Sequence, residues 1–315
     1  MRVHLAPARV HNATQVARPL ASVAEYSGAV QLHTAWRLMA CFLVAATLPP
    51  YVRTQQAAPL SPSSIEVLVH DAVDHQRDNL RRQGWAVRYR VHRLDSKEDS
   101  VRDLVETRDG NVARTLSRNG ATLSAAQEQA EAARLQALLS SAGVRHHPEE
   151  TAGRYGLDLI GAMPAAMEYT WVSGQPQLQH VNALQAVLDF KPRAGFQPAT
   201  TTQSLLTGLA GRVWIDQDTH HLLRIEVTAV KDLNIAFGLL ARVYKGGNML
   251  YEQVPVGGGH DAYTHIEIDV RLRELMVKTV PYHSVLDASD IRLLPSVPSL
   301  QEGVTLLLAA HPAQP

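Results

Sequence analysis

The chain of 315 residues lacks several features that announce a chemistry, although histidine is plentiful, with 15. It has one cysteine, Cys41, which excludes a disulfide framework, a thiolate metal cluster and a cysteine nucleophile beyond that position. It also lacks charge of one sign. Thirty basic and 30 acidic side chains give zero net charge, so no basic excess points to nucleic acid as a partner. Phenylalanine is scarce, with four in all, but hydrophobic residues make up 45%, ample for a core. No Gly-x-Ser-x-Gly elbow occurs, and no His-Glu-x-x-His pattern.

A spanning helix is missing too. The apolar stretch Leu38–Leu48 covers 11 residues, about half the ~20 that a bilayer demands, and Pro49 and Pro50 then stop any helix. Three readings of RLMACFLVAATLPPYV compete. An anchor is too short. Leu38-Met39-Ala40-Cys41 resembles a lipobox, but the apolar region follows the cysteine instead of preceding it. An export signal over 37–58 fits best, with Arg37 as the charged flank and small or polar residues through Ala58. Residues 1–36 then form a non-native or disordered extension, with the true start downstream near Val30. This reading places the protein in the periplasm; anchoring to the envelope through lipid is the alternative.

The remainder of the chain reads as one domain over 65–297, after a Pro/Ser linker at 59–64 and before a tail at 298–315. Ser63 or Ser64 caps a helix from about Ile65 to Arg82, with apolar residues on one face. In WAVRYRVH, Trp85, Val87, Tyr89 and Val91 alternate with polar residues, the pattern of a half-buried strand. VRDLVETRDG and NVARTLSRNG are strand-like and end in the turn pairs Asp109-Gly110 and Asn119-Gly120. Ser124 and Gln127 stand at capping-box spacing before a helix that ends at Gly143. A weaker helix runs from about Glu149 to Met167. Beyond it comes strand after strand: MEYTWV, NALQAVLDF, AGRVWID, HLLRIEVTAV, NIAFGLLARVYKG, NMLYEQV, YTHIEIDVRL and LMVKTVPY. In THIEIDVRL, Ile266, Ile268 and Val270 face one side, and His265, Glu267 and Asp269 the other. The fold class is therefore α+β, a long antiparallel meander curved around a few helices.

The candidate sites are modest. The neighbours His146-His147 and His220-His221 diverge if they lie on strands. His265, Glu267 and Asp269 share a face and offer nitrogen and oxygen ligands, although a solvated face explains them as well. Gly257-Gly258-Gly259 reads as a hairpin turn, not a phosphate cradle. Asp216 opens the turn DQDT, its carboxylate facing backbone amides ahead, while Trp214 fills either the core or a ligand cavity. No catalytic residue, metal ligand or cofactor is assigned.

The run from Gly208 to Lys278 resembles envelope proteins best known from Acidobacteria. The likeness rests on Trp214-Ile215-Asp216, Arg224 with Glu226, Gly238-Leu239-Leu240 and Lys245-Gly246-Gly247, in that order. Those proteins look like members of the superfamily of the lipoprotein carriers LolA and LolB and the lipid-binding LppX and LprG. The resemblance implies an open half-barrel of strongly curved antiparallel sheet, with two or three helices as lid or plug over an apolar cavity. The carrier's ligand-gripping arginine has no motif counterpart; Arg88 and Arg90 match it by position alone. The expected function is a non-enzymatic carrier, in the cell envelope, for a lipid, a lipoprotein acyl chain or another apolar ligand, with a membrane or lipoprotein as partner. The alternative is a structural or interaction protein with a filled core, and behind it a hydrolase or metalloenzyme. Trp85, Val87, Tyr89, Trp171, Trp214, Leu135 and Leu138 are the expected cavity lining, under lids formed by the helices at 65–82 and 124–143.

Overall fold

The structure is a computed structural model, and it describes residues 60–81, 84–140, 148–235, 241–274 and 278–310. The expected extension at 1–36, the signal at 37–58, His146-His147 and Gly238-Leu239-Leu240 lie outside the described residues.

Among the described residues, four α-helices and 13 strands follow one another: α1 (Pro62–Arg81), β1 (Val87–Asp95), β2 (Asp99–Val105), β3 (Val112–Arg118), β4 (Ala121–Thr122), α2 (Ala125–Ser140), α3 (Pro148–Ala166), β5 (Met167–Trp171), β6 (Gln185–Pro192), β7 (Leu209–Asp216), β8 (Leu222–Ala229), β9 (Leu233–Ile235), β10 (Ala241–Val243), β11 (Asn248–Gly257), β12 (His260–Glu274), β13 (Lys278–Leu293) and α4 (Leu300–Ala310). A short 3-10 helix spans Gln203–Gly208. The class is α+β, and the strands form a single antiparallel sheet in the order β4-β3-β2-β1-β13-β12-β11-β8-β7-β6-β5. Its two ends do not meet. β10 pairs with β12 and β9 off the main path.

Several boundaries differ from the sequence expectation. Ser61, not Ser63 or Ser64, caps α1: its hydroxyl accepts from the Ser64 amide at 3.1 Å, and Pro62 takes the first helical position, where no amide is needed. The expected tail holds α4, opened by a reciprocal box in which the Ser299 amide donates to the Glu302 carboxylate at 2.7 Å. NIAFGLLARVYKG is not one strand, since β9 and β10 are separate and pair with each other. β13 runs well past the expected LMVKTVPY, to Leu293. The capping box of α2 forms as spaced, with the Ser124 amide donating to Gln127 at 2.8 Å.

Directly opposed residues of neighbouring strands share a face, so the register follows each face across the sheet. Val213, Ile225, Tyr251, Ile266 and Leu286 oppose one another in turn on the first face. Trp214, Arg224, Glu252, His265, Asp287 and His92 do so on the second. Helices α1 and α3 pack on the first face over β5–β8, burying Leu68, Val69, Met167, Leu188 and Val213. Helices α2 and α4 pack on the second face over β2 and β3, where Val105, Val112, Leu135, Val304 and Leu307 are buried. The helix at 124–143, expected as a lid beside α1, therefore lies on the opposite side of the sheet. Alternation along one strand separates its two faces but carries no sign of which helix covers which.

Candidate functional site

The seven residues expected to line one cavity are divided among four packed groups. Trp85, Val87 and Tyr89 belong to a first-face group completed by Val91 and edged by Tyr263 and Leu286. Trp171 packs at the margin of the α1–α3 group, also on the first face. Trp214 lies on the second face with Val187 and Leu223, under the loop that follows β5. Its indole nitrogen donates to the Pro176 carbonyl at 2.7 Å, and the Arg224 guanidinium lies 5.3 Å from its ring. Leu135 and Leu138 belong to the α2–α4 group. Four of the seven thus lie on the first-face side of the sheet and three on the second.

The polar residues converge elsewhere, where α1 meets the β7–β8 turn and the start of β12. Asp71, His75 and Asn79 recur at intervals of four along one face of α1. His220 and His221 diverge, as adjacent side chains at a strand entrance do. His220 turns to Asp71, with its Nδ1 2.8 Å from the carboxylate. His221 turns inward to Asp261, whose two oxygens lie 2.8 and 2.7 Å from its Nδ1. The His75 ring rests on His221 at 4.7 Å. Asn79 fastens the helix to β12 from both sides of its amide, donating to the Asp261 carbonyl and accepting from the Asp261 amide, each at 2.9 Å. Below it, Gln253 donates to Gln76 at 2.9 Å.

Burial pushes the Asp261 carboxyl above the ordinary aspartate range, while His221, with His75 and His260 further off, pulls it back. The dyad can hold and orient a proton. Two grooves open beside it. One, of about 210 Å³, is lined by Asp71, Asp74, His75, Asp78 and His220. The other, of about 370 Å³, lies at the N-terminal turn of α1 and is also bordered by His220.

The sequence-level face of His265, Glu267 and Asp269 is an open ion-pair belt. His265 Nδ1 lies 2.6 Å from Asp287, and its Nε2 lies 3.8 Å from Glu267. Among the described residues, no group of three or more His, Cys, Asp or Glu is placed to hold a metal ion. Asp216 behaves as its turn position suggests, accepting from the Asp218 and Thr219 amides at 2.8 and 3.1 Å. Gly257, Gly258 and Gly259 all adopt positive φ in the β11–β12 connection, which is a hairpin turn. Arg88 and Arg90 both pair with Asp103 on the second face, at 3.1 and 3.0 Å.

A different set of apolar residues is only half covered. On the first face of the long central strands, Ile266, Ile268, Val270 and Leu272 stand in a row, opposed by Tyr251 and Met249 on β11 and by Leu286, Tyr282 and Val280 on β13. The row is half-buried, and Met249 is 38% exposed. The sequence carried the signal for it in the alternation of THIEIDVRL. Among the described residues, no helix is long and apolar enough to cross a membrane. No family model, no curated protein and no solved structure matches the chain.

Proposed function

We propose that the protein is a non-enzymatic binding module of the cell envelope that carries an acyl chain or similar apolar ligand along the first face of its sheet. The observation that carries this reading is the half-covered row on β12. From Ile266 to Leu272 it runs six residue steps, or about 20 Å at ~3.3 Å per residue. One leaflet of a bilayer, half of a ~30 Å hydrocarbon core, takes up about 15 Å, so the row is long enough for a single acyl chain. Burying such a surface stabilises a complex by roughly 25 cal/mol per Å² of apolar area.

In this reading the sheet is an open half-barrel that curls over its first face. The edge-on contact of Tyr89 on β1 with Tyr263 on β12, at 5.5 Å across the intervening β13, supports that curl. Helices α1 and α3 plug one end, and the row is the greasy floor that runs on along β12 from that end, where α1 meets Asp261 and the Trp85–Tyr89 group meets Tyr263. Export through the signal at 37–58, to the periplasm or to a lipid-anchored place in the envelope, and exchange with a membrane or lipoprotein belong to the same proposal. The resemblance of the Trp214–Asp216 and Lys245–Gly247 motifs to acidobacterial envelope proteins, which look like members of the carrier superfamily, points the same way.

The test is delipidated protein mixed with palmitate and with envelope lipids, followed by native mass spectrometry. One apolar ligand per chain is expected, with loss of that ligand in Ile268→Glu. Recovery of no apolar ligand, or unchanged recovery in Ile268→Glu, would refute the proposal. A second reading, a structural or interaction protein with a filled core, is favoured by the division of the seven expected lining residues among four packed groups. A refuted carrier that remains folded would leave that reading in place.

A further inference from the structure

The second face is a belt of matched charges until it reaches the far end of β12. Arg88 and Arg90 share Asp103, Arg212 holds Asp189, and Arg224 holds Glu226 and Glu252. Further along the same face, Arg271 and Arg273 make no ion pair among the described residues. The Arg271 guanidinium lies instead 4.7 Å from the Tyr244 ring. Arg242 reaches Asp232 at 3.9 Å, the limit of ion-pair distance.

The register gathers these arginines. Arg242 on β10 lies directly opposite Arg273 on β12, and like charges in such a cross-strand pair repel. Tyr244 ties the set together, its amide donating to the Arg271 carbonyl at 2.9 Å and its hydroxyl lying 3.3 Å from Thr279 Oγ1 on β13. Lys245 and Lys278 are exposed at the same end. Five basic side chains stand there against Asp232 and Glu274, a formal excess of three in a chain of zero net charge. The connections 236–240 and 275–277 add no charge of either sign.

The first face of this end is apolar. The row on β12 stops at Leu272, flanked by Val243 and Val280. Helix α1 lies at the opposite end of the strand, where Asn79 meets Asp261. An acidic protein or free phosphate would match the arginines alone. A phospholipid bilayer matches both faces, with phosphates for the guanidinium groups and acyl chains for the row.

We propose that this end of the sheet, around Arg242, Arg271 and Arg273, docks on a bilayer surface rich in anionic phospholipid. The inference rests on the carrier reading, because docking sets the open end of the row against the source of the chain it carries.

The experiment sediments the protein with vesicles of phosphatidylcholine alone and of phosphatidylcholine with an equal part of phosphatidylglycerol. Binding should require phosphatidylglycerol. It should fall as salt rises from about 0.1 M to about 1 M, where the screening length shrinks from ~10 to ~3 Å. The triple variant Arg242→Ser, Arg271→Ser, Arg273→Ser should bind about a hundredfold more weakly, about fivefold for each arginine. A second triple, Arg81→Ser, Arg118→Ser, Lys191→Ser, removes the same charge from exposed positions elsewhere and should bind as the wild type does. Circular dichroism checks that both triples fold, and native mass spectrometry with palmitate follows the carrier site in the same samples. The first triple should keep its palmitate. Equal binding to the two kinds of vesicle, or equal losses in the two triples, would overturn the docking, and palmitate still bound would leave the carrier standing. Palmitate absent from the wild type would refute the carrier instead, while vesicle binding that followed the three arginines would still support the docking surface.

Discussion

His221 and Asp261 are joined through a single nitrogen, Nδ1, which lies within 2.8 Å of both carboxylate oxygens. The Asp261 side chain is only 3% exposed, and burial raises its pKa above the ordinary 3.8. A carboxyl whose folded pKa is raised contributes stability that is fully present below its unfolded value and is lost as pH rises through the folded one. The stability of the wild type relative to Asp261→Asn should therefore decline as pH climbs above 3.8. Urea midpoints taken in steps from pH 4 to 8 measure the difference. A gap that widens with rising pH would contradict the burial argument.

Glu131 provides the opposite sign. Burial pushes its carboxyl up, but the Arg134 guanidinium and the Thr115 amide outweigh it and hold the carboxyl below the ordinary 4.5. The Thr115 amide donates to it at 2.8 Å and Arg134 at 2.7 and 2.9 Å, so the carboxylate ties α2 to β3. Its contribution is present above pH 4.5 and fades as pH falls through the lowered folded value. Glu131→Gln should lose about 1–2 kcal/mol at pH 7, and that deficit should shrink in acid. Denaturation at pH 7 and pH 3 checks both halves.

His220 sits at φ +57°, in the left-handed region, at the close of the β7–β8 turn. That conformation costs a residue with a Cβ roughly 1–2 kcal/mol. His220→Ala and His220→Gly both lose the Asp71 contact, so their difference isolates the backbone. The glycine variant should be the more stable by about 1 kcal/mol. Thermal melts of the pair decide it, and equal melting temperatures would rule the strain out.

Strand faces were legible where one strand carried the whole signal. Val87, Tyr89 and Val91 alternate in sequence and are buried in the structure, and Ile266, Ile268 and Val270 share a face as spaced. The turn at Asn119-Gly120 was readable as well, and both of its residues adopt positive φ. Features made by distant parts of the chain were not. Gln175 stands in for a strand neighbour of β6, its side-chain amide donating to the Val187 carbonyl and accepting from the Val187 amide at 2.9 and 2.8 Å. Nothing in GQPQLQ distinguishes such a strap from a solvated loop. The far half of β13 was hidden because Pro281 reads as punctuation and the segment after it is polar on one side. The Asp261–His221 dyad escaped for a related reason. Its two members are 40 positions apart, and only the hairpin register of β11 and β12 and the docking of α1 bring them together.

Gly211 marks a close approach of β7 and β8 that any side chain would prevent. A Cβ built there would lie 1.9 Å from the Glu226 carbonyl oxygen and 2.8 Å from the Phe190 ring. The carbonyl belongs to a paired strand and cannot swing aside, unlike the end of a flexible side chain. Gly211→Ala must therefore push β7 and β8 apart in the middle of the sheet, beside the cross-strand pair Val213–Ile225 that packs under α1 and α3. Overpacking of this kind costs about 1–3 kcal/mol where neighbours can shift, so the upper end, about 3 kcal/mol, is expected here. Equivalent changes at Gly84 or Gly120, where a Cβ meets nothing within 4 Å, should lose only the penalty of positive φ, roughly 1 kcal/mol. Denaturant midpoints for the three alanine variants should rank Gly211 as the most damaging by a clear margin. If Gly211→Ala matched the other two, β7 and β8 would have to pair more loosely than this register allows.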